Sequence, residues 1–188
     1  MTYYIRVKDL HKRDRERTPE AFARYLIRRV SILFPDRRIE DSPIKIAALF
    51  CSEDSVYHDL LEDVYTETRD AHTYRGPYPI IAHPPCGPWG KLRYFSDEDC
   101  EHGIKAMELV HRWGGVVEQP KGSQLFIQYG RGGVIEECNQ GDYGHRATKP
   151  TLLYWYVPPR ILVWTHHPST VPKPRRRVIT NWTPDKQS

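Results

Sequence analysis

Pro84 and Pro85 stand directly behind the apolar run Ile80-Ile81-Ala82-His83, and that junction constrains the fold more than any other stretch of the chain. Two β-branched residues and an alanine read as a short buried strand. Proline has no N–H for a sheet ladder and holds φ near about −65°, so the strand must end at His83. The residues that follow, Cys86-Gly87-Pro88-Trp89-Gly90, therefore form a stiff turn that carries one cysteine at the mouth of a strand. Gly87 and Gly90 let a flat ligand approach the backbone, and Trp89 offers an aromatic face for stacking. The plain alternative is a proline-stiffened loop around a structural thiol, because free cysteine most often behaves as a small hydrophobe.

Length and composition limit the classes open to such a chain. At 188 residues it can bury one α/β core but not two ordinary ones, and 39% hydrophobic residues with 12% aromatics are globular proportions. No apolar run approaches the roughly 20 residues that span a bilayer, and the polar, charged N-terminus lacks a signal-peptide pattern. The expectation is a cytoplasmic protein with no membrane partner. Cys51, Cys86, Cys100 and Cys138 show no close pairing, so reduced thiols are expected. The net charge of +4 is uneven, with basic clusters at Lys8 to Arg17 and Lys173 to Arg177 that suit phosphate contact and solvated tails equally well.

The chain divides into a basic segment with an amphipathic helix over 1–40, an α/β domain over 41–170 and a basic tail over 171–188. Tyr3 to Val7 reads as an edge strand. Thr18-Pro19-Glu20 is a helix start, with threonine as cap and proline at the first helical position. Phe22, Leu26, Val30 and Leu33 recur at helical spacing as far as Phe34, where Pro35 and Asp36 stop the run. Ile44 to Phe50 reads as a buried strand, followed by a short helix or turn near Asp54 to Leu61, a weak strand at Val64 to Thr66 and the strand Pro79 to His83. Ser96-Asp97-Glu98-Asp99 supplies a cap and an acidic first turn for a helix to Trp113, with Cys100 on its buried face and Gly114-Gly115 as its stop. Val116-Val117-Glu118 is a further strand, and Thr151 to Tyr156 with Ile161 to Trp164 reads as an antiparallel terminal hairpin. Strands alternating with helices predict a three-layer α/β sandwich around a mostly parallel sheet.

Ligands in open α/β sheets bind beyond the carboxyl ends of the strands, which puts Glu118 and Cys86 in one crevice. The segment Asn139 to Thr151 adds Tyr143, His145, Arg146 and Lys149 on a glycine-marked loop before a strand. Singly, Glu118 reads as a surface or capping acid and Arg146 with Lys149 as an exposed basic turn. Three such loops in one small chain point to a site. Zinc chemistry does not fit it: a zinc deaminase needs a cysteine at position 89, which is Trp, and a His-x-Glu that neither His72 nor His83 provides. No Cys-x-x-Cys exists for a structural zinc, so no metal is expected.

The order IAHPPCGPWG, a helix, GGVVEQP, then NQGDYGHRATKPTLLYW resembles the catalytic half of the DNA cytosine-5 methyltransferases over roughly residues 45–165. The likeness is greatest to the short methyltransferase-like proteins frequent in phage genomes. It implies a reduced Rossmann-like, class I methyltransferase-like fold and a cytosine (pyrimidine) C5-modifying enzyme acting on DNA or a nucleotide. It further implies Cys86 as the nucleophile at C6, Glu118 as the carboxylate on the N3 and N4 edge and Arg146 as the supporting basic residue. His83, Pro85, Trp89, Tyr143, His145 and Lys149 would surround the base. Attack at C6 makes C5 a carbon nucleophile, and an acid at N3 spreads the charge that develops. The base must be flipped out or single-stranded, stacked on Trp89 or Tyr143.

The implied cofactor is S-adenosylmethionine, which the family holds with a glycine-rich turn after its first strand and an acid after its second. Here that turn is Leu49 to Ser55 without a glycine, which leaves Glu53, Asp54, Glu67 and Asp70 as candidate cofactor contacts. The family's Glu-Asn pair is Glu118-Gln119. The alternative from a different class is a non-catalytic protein of the same fold that binds a nucleic acid, a nucleotide or a host protein, as in phage counter-defence. A homodimer is the other partner state considered.

Overall fold

The computed structural model describes residues 3–6, 18, 20–34, 45–91 and 93–159. The basic clusters near the two ends and the expected strand 161–164 lie outside these residues. Seven short runs become strands: β1 Tyr3–Arg6, β2 Ala47–Leu49, β3 Asp63–Val64, β4 Ile80–Ala82, β5 Gly115–Pro120, β6 Val134–Asn139 and β7 Pro150–Tyr156. They form one mixed sheet in the order β1-β6-β7-β5-β4-β2-β3. β4 lies parallel between β2 and β5, with Leu49 beside Ala82 and Ala82 beside Val117. Phe50 and His83 therefore leave the sheet in register beside Glu118, which stays paired with Leu153 of β7.

Helices cover both faces, because successive strand residues point to opposite sides. The helices are α1 Ala21–Leu33, α2 Tyr57–Leu60, α3 Glu101–Trp113 and α4 Leu125–Tyr129. Ala48, Ile81 and Val116 pack on one face against Ala23, Leu26 and Val30 of α1 and the adjoining Phe34. Ala47, Leu49, Ile80, Ala82 and Val117 pack on the other against α3 and Leu125 and Phe126 of α4. A buried carboxylate adds a specific tie between α1 and β6: Glu136 accepts from Tyr25 Oη at 2.5 Å and from Arg29 at 3.2 Å. Arg29 also lies 5.2 Å from the ring of Trp155 on β7.

Several junctions follow the sequence pattern and several do not. Gly114 ends α3 with φ +82°, its N–H bonded to Val110 O at 2.8 Å. A Cβ on Gly115 would stand 1.9 Å from Ile80 O, so only glycine lets β5 begin this close to β4. The start of α1 uses the carbonyl of Thr18, bonded to Ala21 N–H at 3.0 Å, and no side-chain cap. The start of α3 also differs from expectation. Cys100 precedes its first turn and is exposed, not buried, while Asp99 accepts from Glu101 N–H at 2.8 Å and Glu98 reaches back to Gly87 N–H at 3.0 Å. β7 pairs antiparallel with β5 and β6, which occupy its two hydrogen-bonding edges. A strand has only two such edges. β6 and α4 carried no clear period in the sequence.

Leu26 is wholly buried between α1 and the sheet, whereas Ile32 on the same helix is 64% exposed. Leu26→Ala should lower unfolding free energy by about 2–5 kcal/mol, and Ile32→Ala should stay within about 0.5 kcal/mol of wild type, both read from urea titrations. Equal effects would show that α1 is not docked on the sheet.

Candidate functional site

The strand order reverses between β2 and β4, since β3 continues on one side of β2 and β4 lies on the other. In open α/β sheets the crevice at such a reversal is the preferred ligand position. Three segments converge there: the residues after β2, the end of β4 at His83, whose Pro-Pro-Cys continuation is not part of the lining, and the loop joining β6 to β7. Together with α1 they enclose an open cavity of about 440 Å³, lined by Phe22, Ala23, Val56, Tyr57, His83, Gln140, Tyr143, Gly144, His145 and Arg146. The structure thus places His83, Tyr143, His145 and Arg146 on one cavity.

Glu118 lies behind that wall, 8% exposed. His83 Nδ1 meets Glu118 Oε2 at 3.3 Å, while Oε1 accepts from Gln140 Nε2 at 2.9 Å and has Lys149 Nζ at 3.7 Å. The other nitrogen of His83 meets Tyr57 Oη at 3.0 Å. Nδ1 faces a carboxylate and so carries a proton; Nε2 accepts from Tyr57 when the ring is neutral and donates to it when the ring is charged. Burial pushes the Glu118 carboxyl up, but the hydrogen bond and charge of His83 and the ammonium of Lys149 outweigh it, leaving the carboxyl below its usual range. Burial, reinforced by the nearby Cys51 and Glu118, holds the Tyr57 phenol well above its ordinary value, so it stays neutral. The cation on Glu118 is Lys149. Arg146 is exposed on the cavity rim.

Gln119 points the opposite way from Glu118, as strand alternation requires. It is fully buried, donates to Pro84 O at 2.7 Å and accepts from Ser123 Oγ at 3.0 Å. The turn after Pro84 is thereby tied to the strand that carries Glu118. Cys86 is exposed on that turn, and its carbonyl accepts from Trp89 and Gly90 N–H at 3.1 and 2.9 Å. Pro85 beside it is half-buried. Trp89 corrects the expectation of an open stacking face: it is 5% exposed, edge-on to Tyr129 at 5.7 Å, and sits where a Cβ on Gly103 would be 2.3 Å from its Nε1. Its apolar area is worth more under α3 than in solvent.

The four acids considered for a cofactor lie on the loops after β2 and β3. Glu53 accepts from Thr68 N–H at 2.9 Å, and hydrogen bonds from Thr66 and Thr68 hold its carboxyl low. Asp70 caps the turn Ala71–Thr73 through His72 N–H at 2.8 Å, while Asp54 and Glu67 are exposed. The glycine-free turn is made by Phe50 in the left-handed region at φ +58°, with its ring edge-on to His72 and His102. That ring fills space beside the end of β2, where a glycine would leave the backbone open to a ligand. These residues do not fit S-adenosylmethionine in the manner the resemblance implies. Among the described residues no three His, Cys, Asp or Glu side chains are grouped to hold a metal ion, and no helix is long and apolar enough to cross a membrane.

Tyr57, Gln119 and Gln140 belong to the site and had no marker in the sequence. Gln119 follows Glu118 and Gln140 begins the glycine-marked loop, but hydrogen bonds across 22 to 35 positions have no local signature. No protein-family model matches the chain, and no curated protein matches it.

Two outcomes test this geometry. The folded Glu118 carboxyl is lowered, so the unfolded chain takes up the proton first as pH falls. Its stabilising contribution is full above the ordinary glutamate value of about 4.3 and is lost as pH drops through the lowered folded value. Glu118→Gln should therefore flatten the acid loss of stability, measured by urea unfolding from about pH 6 to about pH 3. Identical slopes would contradict the buried network. For the thiols, burial pushes Cys51 up to about 12, whereas Cys86 and Cys100 are exposed. Mass-mapped alkylation of the native protein should modify Cys86 and Cys100 at least about tenfold faster than Cys51, with the gap closing in urea.

Proposed function

We propose that the chain is a pyrimidine-directed C5-modifying enzyme, methyltransferase-like in fold and in its use of a cysteine nucleophile, with DNA or a nucleotide as substrate. The observation that carries this reading is that the residues leading into the Cys86 turn are hydrogen-bonded to the strand that bears Glu118. Glu118 binds His83, three residues before Cys86, and Gln119 binds Pro84, two residues before it. A reduced Rossmann-like sheet is favoured by the parallel strands β3-β2-β4-β5, the reversal beside β4 and the antiparallel β7. Cytoplasmic location is part of the same proposal.

The chemistry needs only this chain and the base. The Cys86 thiolate forms a bond to C6, and the C5–C6 π electrons move toward C5 while the Glu118 and His83 pair responds to charge at the base edge. C5 takes a proton from solvent. Loss of the other C5 proton then restores the double bond and expels the thiolate, so the net result is exchange of the C5 hydrogen. A C5-modifying reaction would place an electrophile where that solvent proton goes.

An oligonucleotide deuterated at cytosine C5 should lose deuterium to water in the presence of the protein, followed by mass spectrometry. Cys86→Ala should slow this by a factor of about a thousand or more while leaving the melting temperature unchanged, because Cys86 is exposed. A 5-fluorocytosine oligonucleotide with S-adenosylmethionine present gives the second arm, since release of the adduct is blocked once C5 is alkylated. Absence of exchange, of adduct and of methyl transfer would overturn the enzyme reading. The glycine-free turn around Phe50 favours the other reading, a non-catalytic binder of nucleic acid, nucleotide or host protein. Nucleotide binding without any exchange would establish it.

A further inference from the structure

We infer that Gln140 is a specificity residue whose side-chain carbonyl accepts a hydrogen bond from a ring amino group, so that the cavity takes cytosine nucleotides in preference to uracil nucleotides. This rests on the pyrimidine reading above and adds a second acceptor to the one that reading gives to Glu118.

Gln140 is 92% buried yet lines the cavity, and both hydrogen bonds of its side chain use Nε2: to Glu118 Oε1 at 2.9 Å and to Thr151 Oγ1 at 3.1 Å. Neither partner can accept the amide the other way round. Glu118 is an acceptor when ionised, and Thr151 spends its only O–H on Lys149 O at 3.0 Å, leaving its oxygen to accept. Flipping the amide would therefore set Oε1 against two acceptors. With Nε2 held, Oε1 has no hydrogen-bond partner among the described residues, and it is not among the buried side-chain atoms left unsatisfied there. The solvent it meets is that of the cavity its residue lines. It is a fixed acceptor in a mostly apolar pocket, with Phe22 and Tyr143 packed edge-on to each other at 5.3 Å as one aromatic wall and Arg146 on the rim. The ring amino group of cytosine donates to such an acceptor. The carbonyl of uracil at the same position would face it oxygen to oxygen, leaving a buried acceptor unpaired. Arg146 suits the phosphate of either nucleotide and carries no discrimination.

Calorimetric titration with deoxycytidine monophosphate, deoxyuridine monophosphate and deoxyadenosine monophosphate tests this. Wild type should bind the cytidine nucleotide at least about tenfold more tightly than the uridine nucleotide, within the range of a single well-made base contact. Gln140→Met should bring that ratio close to one, while Arg146→Ala weakens both pyrimidine nucleotides and preserves the ratio. Thr151→Val keeps Gln140 but removes one of its two anchors, and should lower the ratio part of the way; it decides the matter if Gln140→Met does not fold. A wild-type ratio near one, an unchanged ratio in both the Gln140 and Thr151 variants, tighter binding of the adenosine nucleotide, or no binding of any of the three overturns the inference. Cys86-dependent C5 exchange on cytosine and uracil alike would retain the proposed chemistry and discard Gln140 as its selector. A preserved cytosine preference without exchange would do the reverse.

Discussion

Glu118 is a carboxylate taken almost wholly out of water within β5, and an unpaired ion there would cost several kcal/mol. His83, Gln140 and Lys149 offset that cost, and each comes from a different part of the chain: the end of β4, the exit of β6 and the approach to β7. Satisfying one acid thus sets the relative positions of three strand ends. Tyr57 and Thr151 extend the same network to the turn after β2 and into β7. His83, Gln140 and Tyr57 also line the cavity, so its shape and the state of Glu118 are coupled.

The two neighbours Glu118 and Gln119 divide the work between the faces of the sheet. Glu118 belongs to the side covered by α1, and Gln119 to the side covered by α3 and α4, where it holds Pro84 and Ser123. The cysteine turn is therefore anchored from below through Pro84 and from the side through Trp89, whose indole is packed against Gly103. Such anchoring leaves Cys86 exposed on a turn with little freedom.

The turn after β2 departs most from the resemblance. Phe50 takes a left-handed conformation that glycine adopts without strain, at a cost of roughly 1–2 kcal/mol. Its ring contacts with His72 and His102 help to offset that cost, and they place the aromatic ring where open backbone would serve a cofactor.

Much of the local structure was legible from residue order. The prolines after His83 stop β4, Gly114-Gly115 end α3, and the spacing of Leu26 and Val30 defines the buried stripe of α1, because each effect acts within a few residues of backbone or one helical face. The placing of Phe50 and His83 beside Glu118 also followed from alternating strands and helices. Burial of Trp89, exposure of Cys100 and the seat of β7 between β5 and β6 did not, since each depends on which distant surface arrives beside it. The roles of Gln119, Gln140 and Tyr57 were hidden for the same reason. A glutamine or tyrosine looks alike at the surface and in a network, and only tertiary packing, by removing water from Glu118, decides which side chains must replace it.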